Sequence, residues 1–177
     1  LKDFDGIMVR SATLITAEAL KKATHLKVIG RAGAGVDTID VEAATARGIA
    51  VMNAPDGNTL AAAEHAVSLL FALARHIPRA DAGMKAGEWP KNGLTGFELE
   101  GKRLGVIGLG RIGATVARKA VGIGMEVAAF DPFLPASASG RMSVPMKTLD
   151  ELLAWADIIT LHIPRTKETT NIIGEAQ

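Results

Sequence analysis

The sequence predicts an α/β fold built on parallel sheets. Three observations carry this. Short apolar runs alternate with amphipathic stretches, a glycine-rich turn joins one such run to a helix, and an acidic residue closes the next run. At 177 residues the length suits one domain, or one and a part. Hydrophobic residues make up 48% and charged residues 22%, which argues for a packed globular chain and against disorder. Twenty Lys and Arg against 19 Asp and Glu leave a net charge of +1, so there is no basic field for nucleic acid. The absence of Cys excludes disulfides, thiol nucleophiles and thiolate metal sites. It fits a reducing compartment, and a cytoplasmic location is the expectation. No apolar stretch reaches the roughly 18 residues that a spanning helix needs. The start, Leu1-Lys2-Asp3-Phe4, lacks an initiator Met and reads as part of a longer chain.

The elements follow in order. Ile7-Met8-Val9 is a strand. Thr16 to Ala23 is a short helix capped by Thr16. Leu26 to Ile29 is a strand running into Gly30-Arg31-Ala32-Gly33-Ala34-Gly35. Asp40 caps a helix through Arg47, stopped by Gly48, and Ile49 to Met52 is the next strand. Strand and helix in turn imply parallel connections. Pro55-Asp56-Gly57-Asn58 breaks the pattern, which places a domain boundary there: residues 1–55, then 56–177. A long helix from Thr59 to Arg75 is apolar on nearly every side and should be buried in the fold or against a partner. Pro78 should end or kink it, and residues 83–101 read as a loop. Alternation resumes with strand Arg103–Ile107, helix Arg111–Gly122 and strand Glu126–Phe130. A short strand at Met142–Val144, a helix Leu149–Ala156 and a strand Asp157–His162 complete the reading.

Gly108-Leu109-Gly110-Arg111-Ile112-Gly113 is a G-x-G-x-x-G motif between a strand and a helix. Asp131 stands at the end of the following strand, 18 residues after Gly113. Each position suits a dinucleotide. Gly108 permits a tight turn, Gly110 lets a pyrophosphate approach the backbone, and Gly113 allows close helix–strand packing. The helix N-terminus offers N–H groups to phosphate. Asp131 would accept hydrogen bonds from the ribose hydroxyls, and with no adjacent Arg for a 2′-phosphate the cofactor is expected to be NAD rather than NADP. The half after residue 55 is therefore expected to be a Rossmann-type doubly wound parallel sheet, incomplete for want of strands.

With these residues in place, nearly the whole chain resembles the D-2-hydroxyacid dehydrogenase family, most nearly its D-3-phosphoglycerate dehydrogenase branch. Val9-Arg10-Ser11-Ala12-Thr13, Gly30 to Asp37, Met52 to Asn58 and Glu100-Gly101-Lys102 carry the resemblance, with the glycine motif. It implies that the first 55 residues are part of a smaller flavodoxin-like substrate domain. It implies that Arg10 and Arg31 bind a phosphorylated substrate, and that the backbone at Ala34 and Gly35 meets the substrate carboxylate and nicotinamide end. Ala34 stands where many relatives have Thr. Arg111, Ile112, His162 and Ile163 are implied as NAD contacts, Ile163 also replacing a common Thr. The helix from 59 to 75 is implied as a homodimer contact. Plain surface ion pairing for the two arginines, and plain core packing for the helix, stay open from the residues alone.

Hydride transfer to a keto acid needs a cation, a proton-transferring His and a carboxylate that orients it. The resemblance places all three beyond Gln177, so no catalytic residue is expected in this chain. No metal ligand set is expected either. His25 reads as a surface residue, and His65 and His76 as packing or interface residues. His162 reads as lining the cofactor. Neighbouring Glu64 and His65 point in different directions on a helix and form no dyad. The expected activity of the parent protein is oxidation of 3-phosphoglycerate to 3-phosphohydroxypyruvate, the entry to serine synthesis. The alternatives are another family member acting on glyoxylate, hydroxypyruvate or lactate, or an NAD-sensing corepressor on the same fold.

Overall fold

The computed structural model describes residues 2–89, 91–134, 144–166 and 168–174. The chain divides into two compact units, Leu1–Thr59 and Leu60–Gln177.

The first unit is built from β1 (Gly6–Val9), α1 (Ala17–Lys21), β2 (Val28–Arg31), α2 (Val41–Ala46) and β3 (Ala50–Asn53). The strands lie in the order β1-β2-β3, all parallel, with Val9, Arg31 and Asn53 side by side at their carboxyl ends. Local chemistry sets the helix ends. The Thr16 hydroxyl accepts the Ala19 N–H, and the Asp40 carboxylate accepts the Ala43 N–H. Gly48 follows α2 at φ 69°, where a side chain would be strained. The second strand lies two residues later than the sequence suggests. Leu26 is buried below it, and the ladder runs on through Arg31.

Right-handed crossovers between strands taken in order put both helices on one face. There Leu20, Ala23 and Ala44 pack on Val9, Ile29 and Ile49. The other face carries Met8, Gly30 and Met52 in one row. Met8 is 81% exposed and Met52 63%.

The second unit opens with α3 (Thr59–Ala74) and α4 (Ile77–Lys85). It continues with β4 (Arg103–Ile107), α5 (Arg111–Gly122), β5 (Glu126–Phe130), α6 (Leu149–Trp155) and β6 (Ile158–Leu161). Its parallel sheet has the order β5-β4-β6. Met146 bridges to Ala129 on the far side of β5. Taken in chain order these four positions read 3-2-1-4, the order of a Rossmann half-domain with one strand beyond it. The strand expected at Met142–Val144 falls largely outside the described residues, and the pairing that is seen lies at Met146. Two cores sandwich the sheet. One joins Ala63, Leu70 and Ala74 of α3 and Val116, Ala117 and Ala120 of α5 to Leu104 and Val106. The other joins Leu152 to Ile107 and Ala128.

The loop expected over residues 83–101 starts later, because a helix runs over Ile77–Lys85. His76 takes a left-handed φ of 52°, the chain turns, and α4 starts with Pro78 in its first turn. A missing N–H costs nothing there. The long helix buries one side within its own unit. Its small residues face the sheet at helical spacing, while Leu60, Leu69 and Leu73 are each more than half exposed. Among the described residues no single helix is long and apolar enough to cross a membrane.

Two further devices fix the elements around the sheet. Thr148 and Glu151 form a reciprocal capping box at the start of α6. At the amino ends of β4 and β6, Asp157 accepts hydrogen bonds from the Arg103 N–H and guanidinium at 2.8–3.1 Å. That guanidinium holds the Asp157 carboxyl well below the ordinary carboxylate range.

Candidate dinucleotide and anion sites

In the second unit β5 and β6 flank β4, so the chain leaves β4 toward opposite sides. The carboxyl ends there form a crevice suited to a ligand. The glycine turn sits in it, and its three glycines have three different reasons to be glycine. Gly108 has φ 90°, and a Cβ there would stand 2.6 Å from the His162 carbonyl oxygen. A Cβ on Gly113 would run into the Gly108 carbonyl. A Cβ on Gly110 would meet nothing within 4 Å. Fold packing therefore demands the first and third glycines, and open space demands nothing of the second. That space lies at the start of α5, where a helix leaves its first N–H groups without intrahelical partners. The residues thus fit a pyrophosphate.

Asp131 follows β5 directly. One carboxylate oxygen accepts the Leu109 N–H at 2.8 Å and the other the Phe133 N–H at 2.9 Å. The acid is therefore tied to the glycine turn itself. Each carboxylate oxygen keeps a lone pair for a further donor. Arg111 and Ile112 form the first turn of α5, Arg111 exposed and Ile112 partly packed on the core. His162 lies one residue past β6 rather than within it, and its N–H continues the ladder to the Ile107 carbonyl. Its Nε2 is 3.0 Å from the Thr160 hydroxyl. Burial pushes its imidazole below the ordinary value, so it is neutral near pH 7. Ile163 packs beside Gly108 and on the second core.

The first unit has its own carboxyl edge. Arg10 follows β1, Arg31 ends β2, and Gly33, Ala34 and Gly35 form the turn after it. Arg10 is exposed, and Arg31 is only 9% exposed. Arg31 donates to the Ala32 carbonyl at 2.8 Å and to the Ser11 hydroxyl at 3.4 Å, while its buried Nε has no partner. No carboxylate pairs with it among the described residues. Burying a cation without a counter-charge is costly, so the surface ion pair that the sequence left open does not describe Arg31. Gly33 has φ 155°, where a side chain would be strained, and a Cβ there would also press on that guanidinium. Sequence reasoning gave Ser11 and Asn53 no role. Both lie at this edge, and Asn53 donates to the Ala34 carbonyl at 2.7 Å. Both stand inside motifs that carry the resemblance, but only their strand register reveals their placement.

The remaining histidines are dispersed. His25 and His65 are exposed, and His76 is bonded to the Thr95 carbonyl. Glu64 pairs with Lys119 at 3.0 Å, not with His65. Among the described residues no three His, Asp or Glu side chains gather as a metal site.

The switch in strand order at β4, the glycine turn and the acid tied to it define an α/β dinucleotide-binding protein. Residues 67–177 match the family described as D-isomer specific 2-hydroxyacid dehydrogenase, NAD binding domain. The chain belongs to this family, and NAD is the cofactor of its second unit. Among its relatives, the D-3-phosphoglycerate dehydrogenase of Archaeoglobus fulgidus is 50% identical over 98% of this chain and 33% of its own length. That of Bacillus subtilis is 47% identical over 99% and 33%. The D-lactate dehydrogenase of Aquifex aeolicus, solved with NAD and lactic acid, is 33% identical over 96% of this chain and 51% of its own, with a TM-score of 0.85. The chain spans about a third of the length of the curated relatives it matches.

Proposed function

We propose that this chain carries the NAD and substrate-anion sites of a D-3-phosphoglycerate dehydrogenase. That enzyme oxidises the 2-hydroxyl of D-3-phosphoglycerate to 3-phosphohydroxypyruvate, at the entry to serine synthesis. The observation that carries the reading is the buried, uncompensated Arg31 at the carboxyl edge of the first sheet. A phosphorylated substrate supplies the charge that this cation lacks. The names of the curated relatives support the same choice.

When bound, NAD accepts the hydride. The chain's own residues bind and orient. Gly108, Gly110 and Gly113, with Arg111 and Ile112 on the first turn of α5, hold the pyrophosphate. Asp131 holds the adenosine ribose, and His162 and Ile163 line the cofactor. Arg10 and Arg31 hold the phosphate, and the N–H groups of Ala34 and Gly35 hold the carboxylate. We assign proton transfer to no residue of this chain. Two copies associate through the exposed Leu60, Leu69 and Leu73 of α3, and the location is cytoplasmic.

The test is a fluorescence titration with NADH and NADPH, followed by NADH oxidation with phosphohydroxypyruvate and with glyoxylate. NADH binding in preference to NADPH, without turnover, is the expected result. Equal binding of glyoxylate and phosphohydroxypyruvate to the NADH-loaded chain would overturn the substrate, and turnover would return His162 to consideration as an acid.

A further inference from the structure

The turn Gly33-Ala34-Gly35 presents its N–H groups in an ordered way. Those of Ala34, Gly35 and Val36 have no partner among the described residues. Two carbonyls of the same turn are taken. Gly33 accepts the Ala54 N–H at 3.1 Å, and Ala34 accepts the Asn53 side-chain amide at 2.7 Å. In a trans peptide the carbonyl and the following N–H point in opposite directions across one plane. No cis peptide occurs among the described residues. Anchoring the Gly33 carbonyl therefore turns the Ala34 N–H away from β3, and anchoring the Ala34 carbonyl does the same for the Gly35 N–H. The first peptide is held by backbone. The second is held by one side chain, at an exposed position where little packing is at stake.

We infer that Asn53 is a positioning residue for anion binding: through its bond to the Ala34 carbonyl it aims the Gly35 N–H at the substrate carboxylate. The inference rests on the substrate reading above. It adds a residue that does not touch the ligand but sets the direction of a group that does. Glycine at position 35 leaves that peptide soft, so a lost anchor lets it rotate. Asp is the sharpest replacement, since it keeps the size of Asn but brings an acceptor against a carbonyl.

The experiment compares the 177-residue chain with Asn53→Asp and Asn53→Ala by ¹⁵N–¹H spectra, thermal unfolding and titration with D-3-phosphoglycerate. In the free variants the Gly35 amide resonance should move, the Ala34 amide should move less, and Tm should hold. The affinity for D-3-phosphoglycerate should fall about three- to tenfold, the worth of one hydrogen bond, with Asn53→Asp the weaker binder. A Gly35 amide that stays put in both variants would overturn the inference. So would unchanged affinity despite a moved amide. If the unaltered chain ignores D-3-phosphoglycerate, the substrate reading falls, while the Gly35 resonance still decides the role of Asn53.

Discussion

The two units carry the proposed anion sites at the carboxyl ends of three parallel strands, but by opposite means. The second unit uses backbone: a glycine turn, a helix start and open space over Gly110. The first uses a side-chain charge, Arg31, buried without a partner. A site made of backbone is built by folding itself, and two of its three glycines are there because the fold collides with anything larger. A site made of a buried charge works against the fold until a ligand arrives. In the second unit structure and binding reinforce each other, and in the first they compete.

The sharpest break of that comparison is within the glycine turn. Gly113→Ala should destabilise the second unit by about 3 kcal/mol, since its Cβ meets backbone that has no room to give. Gly110→Ala should leave Tm within a few degrees yet weaken NADH at least tenfold, because only the cofactor needs that space. Thermal unfolding and NADH titration check both. Equal Tm losses would erase the distinction between the two glycines.

Next in size is Arg31→Met. Binding of D-3-phosphoglycerate should fall roughly tenfold or more, as expected for a charge-assisted hydrogen bond of about 1.5–3 kcal/mol. Stability should hold or rise, because a buried lone cation is replaced by an apolar chain. Calorimetric titration beside denaturant unfolding reads both, and a loss of stability would mean that Arg31 serves the fold instead.

Smaller is Thr148→Ala, which removes the capping box of α6 and should cost about 1 kcal/mol with NADH affinity unchanged. Smallest is the Arg103–Asp157 clamp, which is partly exposed and screened by salt. Its folded carboxyl is lowered, so its stabilisation is present above the ordinary Asp value of about 3.9 and lost as pH falls below it. Asp157→Asn should therefore lower stability slightly at pH 7, with the gap to the unaltered chain closing as pH falls below about 4.

Much of this was legible in the sequence because it is local. Thr16, Asp40 and Gly48 act on residues three or four away, and each does what its position suggests. The glycine motif and Asp131 were legible as spacing. What was not legible is non-local. The Leu109 N–H reaches an acid 22 residues on, and Asn53 reaches Ala34 across two strands. The burial of Arg31 depends on neighbours that register brings alongside. The second helix at 77–85 escaped because Pro78 reads as a breaker unless the turn at His76 is known, and that left-handed turn has no glycine to signal it.

One last feature lies away from both edges. Met8 and Met52 flank Gly30 in a single row on the bare face of the first sheet, and both thioethers are open to solvent. They make a built-in chemical footprint. Mild peroxide should convert both to sulfoxides quickly in this chain, while a buried methionine such as Met125 reacts slowly. The oxidation rates at positions 8 and 52 therefore measure, residue by residue, whether anything shields that face in a larger assembly.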